Sequence, residues 1–347
     1  MSLRVAVAGP GDFHLGINSR CRGEMRWWIN GLKVLSKDPQ NEVAIIGQCN
    51  KTYKDNEYRI YFLNIDEVIS GHSSVEFDVL FSMDPYKNIG LPENWMSDKV
   101  SKIKTKKRVF APFFGSTQHY ACTIPVVYPY YYQEINNIQT FCVPACFGTK
   151  EQLYKKSNFN EPNIVWFSKN SHENPDFLLA SFKAALDFVI KKNGKLIIID
   201  GKKLTYKEYK DHEEIKGLMK QYKDRIWYTE DEQWLPYNKM KYVLNKSKFI
   251  TGIHHPVCNP MQLDVVFDGG LPIVFENQIS LPPFDSVKNG VYYVPYGREQ
   301  EDYIKEIYNK YEDEGEFNAQ LGIFRNAAEE YTDEVFLKKF YEFVEKI

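Results

Sequence analysis

Hydrophobic and polar residues along the chain predict strands and helices in regular alternation. The first half has short apolar runs, separated by longer segments in which apolar residues recur at helical spacing. The strands predicted in this half are RVAVAG (4–9), EVAIIG (42–47), FDVLFSM (77–83) and RVFAPFF (108–114). The clearest helix between them spans residues 22–36. This alternation is typical of a parallel sheet whose strands are joined by crossover helices.

The alternation starts again after a segment rich in tyrosine and proline, residues 117–150. Strands are predicted at 163–168, 195–200, 225–230, 248–253 and 271–276. Helices are predicted at 176–192, 206–222, 235–247, 259–268, 299–312 and 317–346. We therefore expect an α/β protein with two facing, doubly wound Rossmann-like domains. The expected bounds are residues 1–155, residues 156–325 and a terminal helix, 326–347, that crosses back to brace the first domain.

The composition is compatible with two packed domains and disfavours several kinds of partner. The chain has 347 residues, of which 43% are hydrophobic, and its formal net charge is −2. Such a small charge gives no overall field that would attract nucleic acid or an anionic membrane. The six cysteines form no Cys-x-x-Cys pair, so we expect neither a disulfide framework nor a structural metal. With no leader segment and no apolar run of about 20 residues, we expect a soluble, cytoplasmic protein without a transmembrane segment.

The loop after the first strand, GPGDFHLG (9–16), contains candidate catalytic residues. Gly11 allows a tight turn and a close approach of a donor molecule to the backbone. His14 stands where the dinucleotide-binding fingerprint requires a third glycine, which argues against NAD. Asp12 and His14 are candidate general bases in a cleft between the domains. The alternative interpretation is a turn aspartate and an exposed histidine.

A third candidate base, Asp84, follows the predicted strand 77–83 in the sequence SMDPY. It stands at the carboxyl end of that strand, which is where ligands bind in open α/β sheets. A plain Asp-Pro turn is the other interpretation. We expect at most one of Asp12, His14 and Asp84 to act as the base.

Two loops of the second half carry groups suited to a nucleotide. Ser168, Lys169 and Asn170 place hydroxyl and amide donors and a cation ahead of a predicted helix, a combination that suits a phosphate. An ordinary capped loop is the alternative for these three residues. The next loop, WYTEDEQ (227–233), contains Tyr228 and suits a nucleobase.

A third loop of the second half, GIHHPVCNP (252–260), contains His254 and His255. Its backbone and both histidines are predicted to face a diphosphate. No cysteine or carboxylate stands at ligand spacing from the two histidines, so we predict no metal site here.

The segment FDGGLPIVFE (267–276) is predicted to form a fourth loop on the same edge as the other three. Gly269 and Gly270 permit close approach of a ligand, and Asp264 offers a carboxylate to sugar or ribose hydroxyls. The alternative is a plain helix-to-strand corner with a glycine cap and a surface acid.

These features resemble the GT-B class of nucleotide-sugar glycosyltransferases over nearly the whole chain. The resemblance rests on the loop GPGDFHLG, on NIVWFSKN before the helix PDFLLASFKAAL, on the loop after RIWYTE, and on the helix, Gly-x-Pro, strand unit at Gly270. The long terminal helix, 317–346, resembles the one that braces the first lobe in this class. The sequence departs from the class at Val257 and Val265, where many members have the glutamates of a Glu-x7-Glu motif. The order of elements also resembles phage enzymes of similar length that glucosylate modified DNA bases.

The resemblance implies transfer of a sugar from a UDP- or GDP-linked donor to a hydroxyl group of a glycan, a lipid-linked glycan or a modified DNA base. It implies a metal-independent reaction without a further cofactor. A base from the first domain would take the acceptor proton, Lys169 and backbone amides would stabilise the leaving diphosphate, and Asp264 or Asp268 would replace the missing glutamate contact. The metal-dependent GT-A class is disfavoured, because the chain has no Asp-x-Asp motif. A nucleotide-sugar epimerase and a non-catalytic bilobed binding protein are the alternative functions.

Overall fold

The computed structural model describes residues 2–8, 23–47, 52–71, 75–83, 99–111, 125–128, 139–156, 162–167, 175–199, 212–228, 237–253, 260–279, 283–295 and 300–347. The chain forms two compact units. The first contains Met1–Cys146 and Tyr331–Ile347, and the second contains Phe147–Glu330. Both units combine helices with a largely parallel sheet, which confirms the predicted α/β class. Within these ranges no helix is long and apolar enough to cross a bilayer.

The described part of the first unit is built on an eight-stranded sheet in the order β3-β4-β2-β1-β5-β6-β7-β8. Its strands are β1 (Arg4–Ala8), β2 (Glu42–Gly47), β3 (Tyr53–Lys54), β4 (Ile60–Asn64), β5 (Phe77–Met83), β6 (Thr105–Ala111), β7 (Val126–Tyr128) and β8 (Thr140–Cys142). Every pairing is parallel except that of β3 with β4. The central strands β1 and β2 are almost entirely buried, which explains their continuous apolar sequences.

The described part of the second unit contains a five-stranded parallel sheet in the order β11-β10-β9-β12-β13. Its strands are β9 (Asn163–Trp166), β10 (Leu196–Ile198), β11 (Ile226–Tyr228), β12 (Ser247–Thr251) and β13 (Leu271–Pro272). Beyond β13, Phe275 forms a parallel bridge with Val294. This bridge places Val294 beside the chain that leaves β13, as a short further edge of the sheet.

Ten helices lie within the described residues. They are α1 (Gly23–Leu35), α2 (Ile65–Ile69), α3 (Lys150–Leu153), α4 (Pro175–Lys192), α5 (Glu213–Gln221), α6 (Tyr237–Leu244), α7 (Pro260–Phe267), α8 (Gln300–Lys310), α9 (Glu314–Ala328) and α10 (Asp333–Lys346). Among the described residues, one helix lies between β9 and β10, one between β11 and β12 and one between β12 and β13, as expected for crossover connections in a parallel sheet.

The last helix, α10, packs against the sheet of the first unit. The Phe81 ring of β5 lies between α1 and α10: its centroid is 4.4 Å from that of Trp28, 5.9 Å from that of Phe340 and 6.0 Å from that of Phe343. All four side chains are almost completely buried. The end of the chain therefore completes the core of the first unit.

The sequence predicts one helix from 317 to 346, and this prediction is wrong. The structure has two helices, α9 and α10, separated by a 3-10 turn at Glu329–Tyr331. Thr332 has an extended backbone and its hydroxyl accepts a hydrogen bond from the Val335 amide, so it is the N-cap of α10. The boundary between the two units falls within this turn, and α10 belongs to the first unit.

The two ends of the second unit are joined to each other by polar contacts. The Tyr154 hydroxyl donates to Glu329 Oε1 at 2.5 Å, and Lys150 Nζ lies 3.1 Å from the same oxygen. Arg325 donates to the Lys155 carbonyl at 2.7 Å. Burial, together with the hydrogen bond to Glu329, raises the pKa of Tyr154 to about 12. The first and last turns of this unit are therefore held together.

We predict opposite effects on stability for Gly31→Ala and Gly217→Ala. A methyl group at Gly31 in α1 would lie 2.6 Å from Cζ of Phe336, a buried ring, whereas Gly217 in α5 has open space around it. Overpacking is expected to lower the free energy of unfolding by about 1–2 kcal/mol for Gly31→Ala. Gly217→Ala is expected to raise it by about 0.5–1 kcal/mol, since alanine favours a helix over glycine.

Urea unfolding followed by circular dichroism measures both effects, and Gly217→Ala is the matched control for a glycine-to-alanine change within a helix. A Gly31→Ala variant as stable as Gly217→Ala would contradict the close packing of α1 against α10.

Candidate functional site

The carboxyl ends of four strands form one row in the second unit. Trp166 of β9 is in register with Thr251 of β12 and with Ile198 of β10, and Ile198 is in register with Tyr228 of β11. We call these four residues the Trp166 row. Since the strands are parallel, the chain leaves all of them at the same edge of the sheet. In open α/β sheets this edge is where ligands bind.

The predicted nucleotide loops begin at this row. Ser168, Lys169 and Asn170 follow Trp166 closely, and His254 and His255 follow Thr251. All five lie outside the described residues, so their contacts stay a prediction. Because the strands that precede them are hydrogen-bonded neighbours, the two loops start side by side. The backbone of Tyr228 belongs to the row itself.

The structure beneath these loops is closely packed. Trp166 is fully buried, and its indole N–H donates to the Ser181 hydroxyl of α4 at 3.1 Å. The Phe167 amide donates to the Thr251 carbonyl at 3.0 Å, so the pairing of β9 with β12 holds up to the last residue of each strand. The start of both loops is therefore fixed by backbone and side-chain contacts.

Gly252 determines how the chain leaves β12 towards the histidine loop. Its φ of +84° lies in the left-handed region that favours glycine, and a Cβ there would lie 2.9 Å from the Trp166 ring. Both the backbone conformation and the space require glycine at this position. Gly252 was not predicted as a site residue, although its place directly after an apolar strand is a usable signal.

The first unit shows the same alignment at its own strand ends. Ala8 of β1 is in register with Ile46 of β2 and with Ser82 of β5, and Ser82 is in register with Phe110 of β6. The loop with the candidate bases follows Ala8 along the chain, and the third candidate base follows β5 directly. Gly11, Asp12, His14 and Asp84 lie outside the described residues, so their roles stay a prediction. Their loops begin on neighbouring strands, at the carboxyl edge of the first sheet.

The glycine pair of FDGGLPIVFE lies at the opposite edge of the second sheet. Gly269 and Gly270 follow the end of α7 and precede Leu271, the first residue of β13. A Cβ at Gly270 would lie 2.8 Å from the carbonyl oxygen of Ser247, the first residue of β12. The corner is thus at the amino ends of β12 and β13. The prediction that it shares an edge with the other three loops is wrong, and the donor contact inferred from that shared edge loses its basis.

The geometry of this corner is that of a helix cap. The Gly269 amide donates to the Val266 carbonyl at 3.0 Å, and the Gly270 amide donates to the Val265 carbonyl at 2.7 Å. Gly269 has a φ of +84°. This pair of bonds with a left-handed glycine is the Schellman motif, which satisfies the last carbonyls of a helix. Gly269 is required by its conformation, and Gly270 by the close approach of the β12 backbone.

Asp264 lies within α7 and is completely buried. Its Oδ1 is 3.5 Å from Nζ of Lys241 on α6, and the same Nζ is 2.7 Å from Oδ2 of Asp268. The cation and the two carboxylates join α6 to α7 and to the turn that follows it. This placement gives Asp264 and Asp268 a structural role inside the unit, where burial of a charge requires such pairing.

One feature at the carboxyl edge was not predicted. The side-chain amides of Gln262, in the first turn of α7, and Gln278 donate to each other at 3.2 Å. Gln278 also accepts from the Phe275 amide at 3.1 Å, and both glutamines are buried. This amide pair connects the start of α7 to the chain that follows β13. A glutamine within an apolar helix is a weak sequence signal, so only the structure shows that the two side chains pair.

No protein-family model and no curated protein sequence matches the chain. A solved glycosyltransferase from Rickettsia africae is similar to it with a TM-score of 0.59 and 9% identity, over 99% of this chain and 98% of the other. HepE from Anabaena, solved in complex with UDP, is similar with a TM-score of 0.56 and 9% identity, over 99% and 100%. A putative UDP-N-acetylglucosamine 2-epimerase from Listeria monocytogenes has a TM-score of 0.53 and 12% identity, over 97% and 94%.

These likenesses extend over almost the full length of each chain and include both α/β units. The chain therefore has the GT-B fold of nucleotide-sugar glycosyltransferases, as the sequence predicts. At identities near one in ten, the likeness defines the fold and leaves the reaction to be inferred from the chain's own residues.

We predict that Gly270→Ala lowers the free energy of unfolding by about 1–3 kcal/mol, because its methyl group would overlap backbone oxygens that are held in the sheet. Gly322→Ala in α9 is the matched control. A methyl group there meets nothing within 4 Å, so we expect a small gain in stability. Urea unfolding of both variants makes the comparison. If Gly270→Ala unfolds at the same urea concentration as wild type, the close packing of this corner is contradicted.

Proposed function

We propose that the chain is a glycosyltransferase that moves a sugar from a nucleotide-sugar donor to a hydroxyl acceptor without a metal ion. The observation that carries this proposal is the likeness to glycosyltransferases over almost the full length of both chains. The alignment of strand ends in each unit adds support, because it starts the predicted loops side by side at the ligand-binding edges.

The proposed donor site is formed by the loops after the Trp166 row. Ser168, Lys169 and Asn170 precede α4, which begins at Pro175, and would bind the diphosphate with hydroxyl, amide and ammonium donors. The backbone around His254 and His255 would contact the same diphosphate from β12. The loop after Tyr228 would hold the base. We propose a uridine nucleotide first, since HepE was solved with UDP.

The proposed reaction needs one base and one set of anion-stabilising donors. One of Asp12, His14 and Asp84 takes the proton of the acceptor hydroxyl. The acceptor oxygen forms a bond to the anomeric carbon of the donor sugar, and the bond from that carbon to the diphosphate oxygen breaks. Lys169 and loop amides stabilise the negative charge that builds up on the departing diphosphate. A glycan, a lipid-linked glycan and a modified DNA base remain the candidate acceptors.

A second candidate function is a nucleotide-sugar epimerase, and the likeness to the Listeria epimerase favours it. Such an enzyme needs acid-base residues near the sugar and no acceptor. Incubation with a UDP-sugar alone, followed by product analysis, separates the two reactions. A transferase leaves the donor unchanged or hydrolyses it slowly, whereas an epimerase converts it into a second UDP-sugar.

We predict that one family of nucleotide sugars stabilises the protein in a thermal-shift screen of UDP, GDP, CMP, ADP and TDP sugars. At a ligand concentration 100 times the Kd, binding adds about 2.7 kcal/mol to stability. Lys169→Ala is expected to lose most of this stabilisation, because the diphosphate loses a cation. Lys220→Ala, a lysine on the exposed face of α5, is the matched control and should keep it. Chelation of divalent metals with EDTA should leave both the shift and the transfer reaction unchanged.

If no nucleotide sugar stabilises the protein, the proposed donor site is contradicted. Stabilisation that Lys169→Ala retains in full would contradict the role of Lys169. Binding without turnover, in the presence of a panel of glycan acceptors and in their absence, would favour the binding-protein interpretation.

A further inference from the structure

A groove in the second unit combines exposed tyrosines with two opposite charges. One wall is the segment 291–293, which includes Tyr292. The other wall is one face of α8, with Tyr303, Glu306 and Lys310. The accessible volume is about 210 Å³. We call this site the tyrosine groove.

The spacing along α8 places the three polar or aromatic side chains in one line. Tyr303, Glu306 and Lys310 are three and four residues apart in turn, so they lie on the same face of the helix. Tyr303 is 43% exposed and Tyr292 is 36% exposed, so both rings are open to a ligand from solvent. Lys310 Nζ lies 3.8 Å from the centroid of the Tyr292 ring and covers one of its faces. The Tyr303 ring is therefore the more open of the two.

The two charges in the tyrosine groove balance each other. Within the described part of the chain, the ion pairs of α8 are those of Lys305, and neither Glu306 nor Lys310 belongs to one. A cationic ligand would be repelled by the ammonium of Lys310, and an anionic ligand would be repelled by the carboxylate of Glu306. A neutral ligand with several hydroxyl groups satisfies both, because a hydroxyl donates to a carboxylate and accepts from an ammonium.

We propose that the tyrosine groove binds one ring of a neutral glycan. The C–H face of a pyranose ring packs on the electron-rich face of Tyr303, and its hydroxyls bond with Glu306 and Lys310. The volume is below the roughly 300–1,000 Å³ of pockets for drug-sized ligands, which suits a single ring of a longer chain.

This site is separate from the proposed donor site. Val294, next to the groove wall 291–293, pairs with Phe275 just past β13, and the sheet order puts β12 and β13 between this edge segment and β9. At about 4.8 Å per strand, the edge segment is roughly 14 Å from β9, which leads into the loop with Lys169, and roughly 10 Å from β12, which leads into the histidine loop. Glycan binding in the tyrosine groove is thus a second activity of this chain, and it does not depend on the transfer reaction.

The test is titration of the full chain with maltohexaose, cellohexaose and chitohexaose. Binding is measured by isothermal titration calorimetry and by saturation-transfer NMR. We expect saturable binding of at least one oligosaccharide. Tyr303→Ala should weaken it about tenfold, since the stacking ring is lost. Tyr303→Phe keeps the ring and should bind within about twofold of wild type. Tyr242→Ala is the matched control, because Tyr242 is another exposed tyrosine of the same unit, and it should bind as wild type does.

Three results would overturn the proposal: no saturable binding of any of the three oligosaccharides, equal binding by Tyr303→Ala and wild type, or tighter binding of choline than of every oligosaccharide. Thermal unfolding checks that the variants are folded. The nucleotide-sugar thermal shift is measured on the same samples and should be unchanged in Tyr303→Ala. Loss of glycan binding with an intact nucleotide response therefore separates failure of this proposal from failure of the proposed transfer reaction.

Discussion

The hydrogen-bonded register of parallel strands is the constraint on which the candidate site depends. In the second unit it aligns Trp166, Ile198, Tyr228 and Thr251, and in the first unit it aligns Ala8 with its neighbours. Loops that are far apart in sequence begin next to each other for this reason alone. A parallel sheet places every carboxyl end at one edge, so polar residues after several strands converge without any further interaction.

The opposite edge of the second sheet serves stability. There the Schellman motif ends α7, Gly270 lets the chain pass close to the β12 backbone, and Lys241 holds two carboxylates between helices. The sequence did not distinguish this corner from a ligand loop, because glycine meets the same requirement in both settings: a left-handed backbone or a close neighbour. The position of the corner before a strand, and not after one, decides between the two.

Local patterns predicted the strands well, since buried parallel strands are continuous apolar runs. They predicted one terminal helix where the structure has two, because a single N-cap threonine within a helical pattern is a weak signal. The tyrosine groove and the Gln262–Gln278 pair were not predicted. Both features bring together residues that are far apart in the sequence, and none of the segments involved has a distinctive sequence pattern. The contacts of the predicted donor residues after β9 and β12 stay a prediction, whereas the structure places Gly269 and Gly270 at the other edge of the sheet.

The proposed function requires that a nucleotide binds at the carboxyl edge of the second sheet, beyond the Trp166 row. Amide hydrogen exchange with and without UDP measures this most directly, because it reports on each loop separately. We predict slower exchange in peptides that cover 168–174 and 254–260, with no change in peptides that cover 268–272. Protection confined to 268–272, or no protection by UDP in any peptide of the second unit, would contradict it.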